Sequence, residues 1–249
     1  MQFYSNSSAG RIVPPEIIVN PGLVIDTDSI NSVIASTIYD TFDGSGGIDS
    51  NLWDTLNASD ISVTQSGGRY VGDVAAGSGN DSLWFNGSEG RLDYVTITGD
   101  FDFISRGHQI LTGNDAGDVQ FSGVIVRLSS GNWEFIVAGN RTTAATNTIE
   151  LKSTTSGTSN VDDLGDDVVL SGIYDLRARR VGSAVDFFYQ DNAESPDNWT
   201  MVDHDGLPGA RVSFGTGAVQ IGITTYGQNL GPTFTCGIDQ VEIPVGVPS

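Results

Sequence analysis

The sequence has little cysteine and little positive charge, and each shortage excludes a class of protein. Cys236 is the one cysteine among 249 residues, so no disulfide can form within the chain and the fold must rest on its core. Lys and Arg total 11 residues against 31 Asp and Glu, which gives a net charge of −20. Nucleic acids and anionic membranes are bound through clustered cations. We therefore expect no nucleic acid and no membrane as a partner.

Targeting signals and long apolar runs are also lacking. Residues 1–10 have no basic stretch leading into an apolar one, so the sequence as given predicts no secretory signal. The longest apolar runs, such as residues 123–126, are far shorter than the roughly 18 residues of a membrane-spanning helix. These shortages predict a soluble protein.

A repeated strand pattern is present instead. Polar and apolar residues alternate over 124–128, 133–137, 174–179, 183–190 and 219–226. Clusters of Gly, Asn, Asp, Ser and Pro separate these runs, and the 32 glycines fall largely in such turns. No window keeps the spacing of an amphipathic helix. The pattern predicts an all-β fold, a two-sheet antiparallel sandwich of jelly-roll type.

The last predicted strand changes its phase. Phe234, Cys236 and Ile238 share one parity, whereas Val241 and Ile243 share the other. This slip predicts a β-bulge around residues 239–240 or, alternatively, the end of one strand at Ile238 and the start of another. The apolar parity of Cys236 predicts a buried, inert thiol.

The first 39 residues differ from the rest of the chain. They combine prolines with short apolar clusters and show no helical period, so they read as extended pieces that cannot build a core. One interpretation is a disordered leader or a first strand on its own domain; the other is an arm that anchors a partner. The domain prediction is an extended N-terminal attachment arm at 1–39 and a sandwich at 40–249. The candidate partner-binding residues are Ile12, Val13, Pro14, Pro15, Ile17, Ile18, Val19, Leu23, Val24 and Ile25.

The second half of the chain resembles a known family. In YDLRARRVGSAVDFFYQDNAESPDNWTMV, residues 174–202, an arginine-rich strand and a glycine turn lead into an aromatic strand and then an acidic loop ending at Trp199. VQIGI follows at 219–223, CGIDQVEI at 236–243, and DTFD at 40–43 precedes Trp53. This order is similar to the concanavalin A-like lectin/glucanase sandwich in its laminin-G-like versions. The likeness covers residues 40–245 and implies a β-sandwich, a fold that hosts lectins, hydrolases and structural modules.

The hydrolases of that family carry acidic residues on one strand, in patterns resembling E-x-D-x-x-E. Retaining hydrolysis needs two carboxyl groups about 5–5.5 Å apart, which alternate strand residues supply. None of the six Glu residues opens such a pattern, and the pair Asp100 and Asp102 has no third acid. No G-x-S-x-G, H-E-x-x-H or P-loop motif occurs. We therefore expect no catalytic residues and no enzymatic activity, with a glucanase-like hydrolase as the least favoured alternative.

Oxygen ligands for calcium are abundant but do not follow a calcium-loop pattern. A solvated, self-repelling loop is the favoured interpretation of the densest acidic run, DDLGDD at 162–167. Transition metals are not expected because the histidines and the cysteine are not paired. We expect no cofactor, with structural calcium as the alternative; its candidate ligands are Asp162, Asp163, Asp166 and Asp167.

Sugar binding would require an exposed aromatic ring beside polar side chains. Trp133 is predicted to face the core with Phe135, and Trp199 matches the structural tryptophan that the family resemblance implies. Trp84, in NDSLWFN at 80–86, is the candidate for an exposed glycan contact. A core position is the favoured interpretation for each of them.

Together these patterns favour a non-enzymatic structural protein, a β-sandwich head that joins a larger assembly through its N-terminal arm. Such a chain resembles a bacteriophage virion protein, with capsid decoration (cement) favoured over a fibre role and a capsid or other virion protein as partner. We expect a location on the capsid surface or tail, and a homo-oligomer, with a trimer as one form. The alternative is an extracellular carbohydrate-binding module or adhesin that binds a glycan.

Overall fold

The computed structural model describes residues 37–75, 80–113, 119–140, 147–163, 172–192, 198–202, 212–228 and 233–244. Over these residues the chain forms β-strands in two sheets. The same residues include no helix with the length and apolar character to cross a membrane. The predicted all-β, two-sheet antiparallel sandwich is confirmed.

The strands have the following bounds. In chain order they are β1 (Thr37–Asp40), β2 (Asp54–Leu56), β3 (Ser62–Gln65), β4 (Tyr70–Val74), β5 (Asn80–Asp81), β6 (Leu92–Thr98), β7 (Phe101–Thr112), β8 (Val119–Ser129), β9 (Asn132–Asn140), β10 (Asn147–Thr155), β11 (Thr158–Asp163), β12 (Tyr174–Val181), β13 (Ala184–Asp191), β14 (Thr200–Met201), β15 (Ala218–Gln228), β16 (Phe234–Ile238) and β17 (Gln240–Pro244).

One sheet has nine strands and the other has eight. The nine-stranded sheet runs β14-β13-β12-β7-β16-β4-β3, with β17 also paired to β7 and β1 paired to β17. The eight-stranded sheet runs β11-β10-β9-β8-β15-β6-β2, with β5 paired to β15. Strands distant in sequence are neighbours in both sheets, so each sheet is complete only when most of the chain has folded.

The core lies between the sheets and is built from alternate residues. Val124 and Val126 on β8 and Leu176 and Ala178 on β12 are fully buried in it, as their alternation predicts. Burial of a valine or leucine side chain contributes about 1.5–3 kcal/mol. Leu128 continues the predicted pattern but is 40% exposed, because the register of β8 against β9 shifts after Arg127.

The predicted phase slip near the end of the chain is resolved by two separate strands. β16 ends at Ile238 and β17 begins at Gln240, which is the second of the two alternatives. Asp239 between them donates its backbone N–H to the Arg106 carbonyl, at 2.8 Å. β16 and β17 both pair with β7, on either side of this break.

The predicted boundary between residues 39 and 40 falls inside β1. This strand pairs with β17 from Thr37 to Asp40 and so adds to the nine-stranded sheet. The ten candidate arm residues, Ile12 to Ile25, lie outside the described part of the chain. The division into an arm and a sandwich therefore stays a prediction.

Candidate functional site

Residues 82–91 cross the outer face of the eight-stranded sheet, and we call this segment the strap. Its tip turns at Asn86 and Gly87, with φ of 45° and 78°. Asn and Gly enter this left-handed region at low cost and favour tight hairpin turns. Phe85 and Ser88 exchange backbone hydrogen bonds of 3.3 and 2.8 Å across the turn. The strap is therefore a small hairpin.

The tip and the returning arm of the strap are tied to two strands of the sheet. The Asn86 backbone N–H donates to Ser159 Oγ at 2.9 Å, and the Ser159 N–H donates to Asn86 Oδ1 at 3.0 Å. This reciprocal pair fixes the tip to β11. Glu89 forms an ion pair with Arg127 of β8.

Trp84 ties the middle of the strap to the sheet. Its indole Nε1–H donates to Thr224 Oγ1 on β15 at 3.1 Å, and its carbonyl accepts from Lys152 Nζ on β10 at 3.0 Å. The indole packs edge-to-face on Trp133, with 5.2 Å between ring centroids. Hydrogen bonds and an ion pair thus hold the strap to four strands, β8, β10, β11 and β15, and Trp84 also packs on β9.

A second apolar cluster fills the space beneath the strap, separate from the core between the sheets. Its rings stack or tilt against one another at centroid distances of 5.2 to 5.9 Å. We call this group the outer cluster; its buried members are Trp84, Leu92, Phe121, Ile125, Trp133, Phe135, Val137 and Tyr226.

A cleft opens beside the strap on the same face, with a cavity volume of about 180 Å³. Polar side chains from β10 and β15 form part of its wall, and apolar side chains from the strap, β8 and β11 form the rest. The lining residues are Leu83, Phe85, Val119, Glu150, Lys152, Val161, Tyr226 and Gln228.

Glu150 and Lys152 are brought together by the strand geometry. They are two residues apart on β10, so both side chains project from one face of the sheet. Glu150 Oε1 lies 3.3 Å from Lys152 Nζ and accepts a 3.1 Å hydrogen bond from the Tyr226 hydroxyl. The Glu150 and Lys152 side chains are only 4% and 7% exposed. Removal of one partner of such a buried pair typically costs about 3–5 kcal/mol.

The Lys152 ammonium also lies near three aromatic rings. Its Nζ is 5.1, 5.4 and 5.9 Å from the ring centroids of Phe135, Phe85 and Tyr226, within the range of a cation–π contact. Phe85 is 43% exposed, so one of these rings also faces solvent. The cleft therefore presents a carboxylate, an ammonium, a phenol, an amide and an accessible ring within one small volume.

The favoured prediction, that Trp84 is buried, is confirmed, and its candidate exposed position is wrong. The residue is fully buried in the outer cluster, because the strap turns its indole toward the sheet and its neighbour Phe85 toward solvent. A glycan contact by Trp84 itself stays a prediction. Trp133 and Phe135 are buried as predicted, but in the outer cluster and not between the sheets. Trp199 is half-buried, with the guanidinium groups of Arg106 and Arg177 each 5.6 Å from its ring.

Two of the four calcium candidates lie on a described strand. Asp162 and Asp163 end β11, opposite Leu151 and Glu150 in the register. Asp166 and Asp167 lie outside the described residues. Among the residues that are described, no three His, Cys, Asp or Glu side chains are grouped as a metal site would require.

The other groups considered for catalysis, the pair Asp100 and Asp102 and the thiol of Cys236, have structural roles. Asp102 forms an ion pair with Arg177, and Asp100 accepts a 2.8 Å hydrogen bond from the Gly182 N–H. The predicted burial of Cys236 is confirmed, and burial raises the pKa of its thiol well above the usual value. A thiol with a raised pKa carries little thiolate and is a poor nucleophile.

The cleft residues were not predicted from the sequence. Glu150 and Lys152 alternate with Ile149 and Leu151, which are buried in the core between the sheets. That pattern alone predicts a polar outer face exposed to water. The signal that could have found the site is that the one lysine of the chain lies in the middle of such a strand. Only the strap, which no periodicity marks, turns this face into an enclosed site.

Solved structures share this fold at low sequence identity. A functionally unknown protein from Saccharomyces cerevisiae matches 78% of this chain and 94% of its own, with a TM-score of 0.53 and 14% identity. A xylan β-1,4-xylosidase from Bacillus halodurans C-125 matches 83% of this chain, with a TM-score of 0.56 and 14% identity. A glycoside hydrolase family protein from Mycobacterium thermorestibile matches 83% of this chain and 99% of its own, with a TM-score of 0.51 and 13% identity.

These likenesses show the fold, which is consistent with a concanavalin A-like sandwich. This chain spans only 38% of the length of the xylosidase. Neither the protein-family models nor the curated proteins gave a match to the sequence.

The expectation of a protein without enzymatic activity has to be corrected. It rested on the absence of familiar catalytic motifs, whereas the neighbours in fold that have a named activity are glycoside hydrolases.

Proposed function

We propose that the chain is a carbohydrate-binding β-sandwich and that the cleft beside the strap holds the sugar. The observation that carries this proposal is the combination of groups in the cleft. Glu150, Lys152 and the Gln228 amide supply acceptors and donors for sugar hydroxyls, and Phe85 offers an aromatic face to the C–H surface of a ring. A concave, largely apolar site with a few convergent polar groups is the usual form of a small-molecule site.

The neighbours in fold support the same class of ligand. They include a xylan β-1,4-xylosidase and a glycoside hydrolase family protein, both of which act on carbohydrate. Xylo-oligosaccharides are therefore the first probes, followed by a broad glycan array.

Glu150 is the carboxylate that a hydrolytic reaction in this cleft would use. Hydrolysis of a glycoside with retention needs a second carboxyl group about 5–5.5 Å away, and inversion needs one at about 6.5–9.5 Å. Release of reducing ends should be measured on every saccharide that binds.

The experiment is calorimetric titration of the full chain with saccharides that bind on the array. Glu150→Gln should weaken binding at least tenfold because it removes the carboxylate of the cleft. Because this change also breaks a buried ion pair, Phe85→Ala is the second variant, in which a 43% exposed ring is lost and at least threefold weaker binding is expected.

Tyr39→Ala is the matched control for Phe85→Ala. Tyr39 is 54% exposed and lies on β1 of the other sheet, so its loss should leave saccharide affinity unchanged. An array without any bound glycan, or equal affinity in the Phe85→Ala and wild-type proteins, would reject the cleft as a sugar site.

A further inference from the structure

We propose that the strap restricts the cleft to the terminal sugar of a glycan. This inference rests on the proposed carbohydrate function and adds the class of ligand. A groove that binds the interior of a polysaccharide must be open at both ends, because the chain continues in both directions. A pocket that binds a terminal residue needs only one opening.

The strap closes the cleft on one side and blocks a polysaccharide that runs along the strands of this face. Its contacts with β8, β10, β11 and β15 extend across the adjacent strands of the order β11-β10-β9-β8-β15. Beneath it the outer cluster fills the space down to the sheet, with Trp84, Trp133 and Phe135 all fully buried. A glycan that enters the cleft therefore meets the strap and cannot pass under it.

The size of the cleft agrees with a single ring. Its volume of about 180 Å³ is below the roughly 300–1,000 Å³ of sites that bind drug-sized ligands. Glu150, Lys152 and Tyr226 are linked by hydrogen bonds and charge at one part of its wall, where the hydroxyls of one sugar residue could be bound together. The exposed ring of Phe85 lies on the strap itself, so the strap both closes the pocket and contributes to it.

The reciprocal hydrogen bonds between Asn86 and Ser159 hold the strap tip against β11. Both bonds are 3.0 Å or shorter, and both involve a backbone N–H. Removal of the Asn86 side chain deletes the acceptor of one bond while Phe85 and Glu150 stay in place. Asn86→Ala therefore loosens the closure without altering the polar groups of the cleft.

The test compares a short oligosaccharide with a long polymer of the same linkage, both taken from the saccharides that bind on the array. Recognition of a glycan end predicts one bound protein per glycan chain. It also predicts that the affinity per glycan chain does not change with the length of the glycan. Asn86→Ala should reduce the preference for oligosaccharide over polymer, at equal concentration of sugar units, by at least threefold. Asn132→Ala is the matched control, because Asn132 bonds to Ser129 and Ser156 in turns of the same sheet and not to the strap.

The outcomes separate the two proposals. Affinity that rises with chain length, with several proteins bound along each polymer, would overturn the terminal pocket and leave carbohydrate binding intact. An unchanged preference in Asn86→Ala would overturn the role of the strap. Failure of every saccharide to bind would overturn both proposals together.

Discussion

His108 is a buried histidine whose side chain is neutral in the folded chain. It is fully buried on β7, with Nε2 2.7 Å from Ser105 Oγ and Nδ1 2.9 Å from Ser122 Oγ of β8. Burial lowers its pKa to about 3, although the Asp175 carboxylate opposes the shift. The ring thus links the two sheets through hydroxyl groups, and it does so as a neutral imidazole.

The lowered pKa of His108 predicts a loss of stability in mild acid. In the unfolded chain the His108 imidazole becomes protonated below about pH 6.5, whereas in the folded chain it stays neutral down to about pH 3. The free energy of unfolding therefore falls as the pH falls through this window. Between pH 7 and pH 5 this group alone should cost about 2 kcal/mol. In His108→Gln that share of the pH dependence should vanish, as urea unfolding at both pH values would show.

The wild-type protein is the control for His108→Gln, because every other titratable group is present in both proteins. Above pH 7 the two unfolding curves should depend on pH in the same way. If the wild type and the variant lost equal stability between pH 7 and pH 5, the imidazole would have to be charged in the folded chain, contrary to its surroundings.

At the scale of elements, the sheets are also joined through Asp93. This fully buried carboxylate on β6 accepts hydrogen bonds from Arg91 at 2.9 and 3.0 Å, from Tyr70 of β4 at 2.9 Å and from Thr55 of β2 at 2.6 Å. Burial, and next to it the charge of Asp93, raise the pKa of the Tyr70 hydroxyl well above its usual value. The phenol therefore remains a donor, and one carboxylate connects strands of both sheets.

Removal of this carboxylate should be among the most damaging single changes in the sandwich. Asp93→Ala leaves the buried Arg91 guanidinium without its carboxylate, and we expect a loss of about 3–5 kcal/mol in the free energy of unfolding. Arg69→Ala is the control, since its ion pair with Asp239 is 28% and 42% exposed and should contribute at most about 1 kcal/mol. Urea unfolding of both variants measures the difference; similar losses would show that burial of the Asp93 network adds nothing.

Elements with one apolar face could be predicted, and elements with two could not. The alternation in β12 predicted correctly that Leu176 and Ala178 face the core. In β9 the alternation predicted that Trp133 and Phe135 face the core between the sheets, whereas they lie on the opposite side of the strand, in the outer cluster. That side is buried because residues distant in sequence cover it.

The candidate site follows the same rule. The sequence singled out Trp84 and the segment around it, but the direction of the indole depends on a turn at Asn86 and on partners as distant as Thr224. The pairing of Glu150 with Tyr226 depends on two strands, β10 and β15, that are far apart in the chain. Local pattern predicts strands, whereas the cleft is a product of how the strands are ordered.

At the scale of the whole molecule, the acidic chain keeps many of its few cations in ion pairs. With 11 Lys and Arg among 249 residues, pairs such as Arg106–Asp175 and Arg177–Asp102 use cations on the nine-stranded sheet, and Arg127–Glu89 uses one to hold the strap. The net charge of −20 disfavours anionic ligands, so neutral saccharides are the preferred probes of the proposed function.

The beginning of the sandwich can be located by a pair of truncations. β1 supplies four register pairs to β17, and Asp40 accepts a 2.7 Å hydrogen bond from the indole of buried Trp53. A chain that starts at residue 41 should therefore be less stable than one that starts at residue 37 by about 2–4 kcal/mol, from lost ladder bonds and lost packing of Ile38. Thermal and urea unfolding of the two truncated chains measure the difference directly, and equal stability would mean that β1 is dispensable. The chain that starts at residue 37 also tests the predicted attachment role of the first residues, which requires it to lose retention on any assembly that the full chain joins.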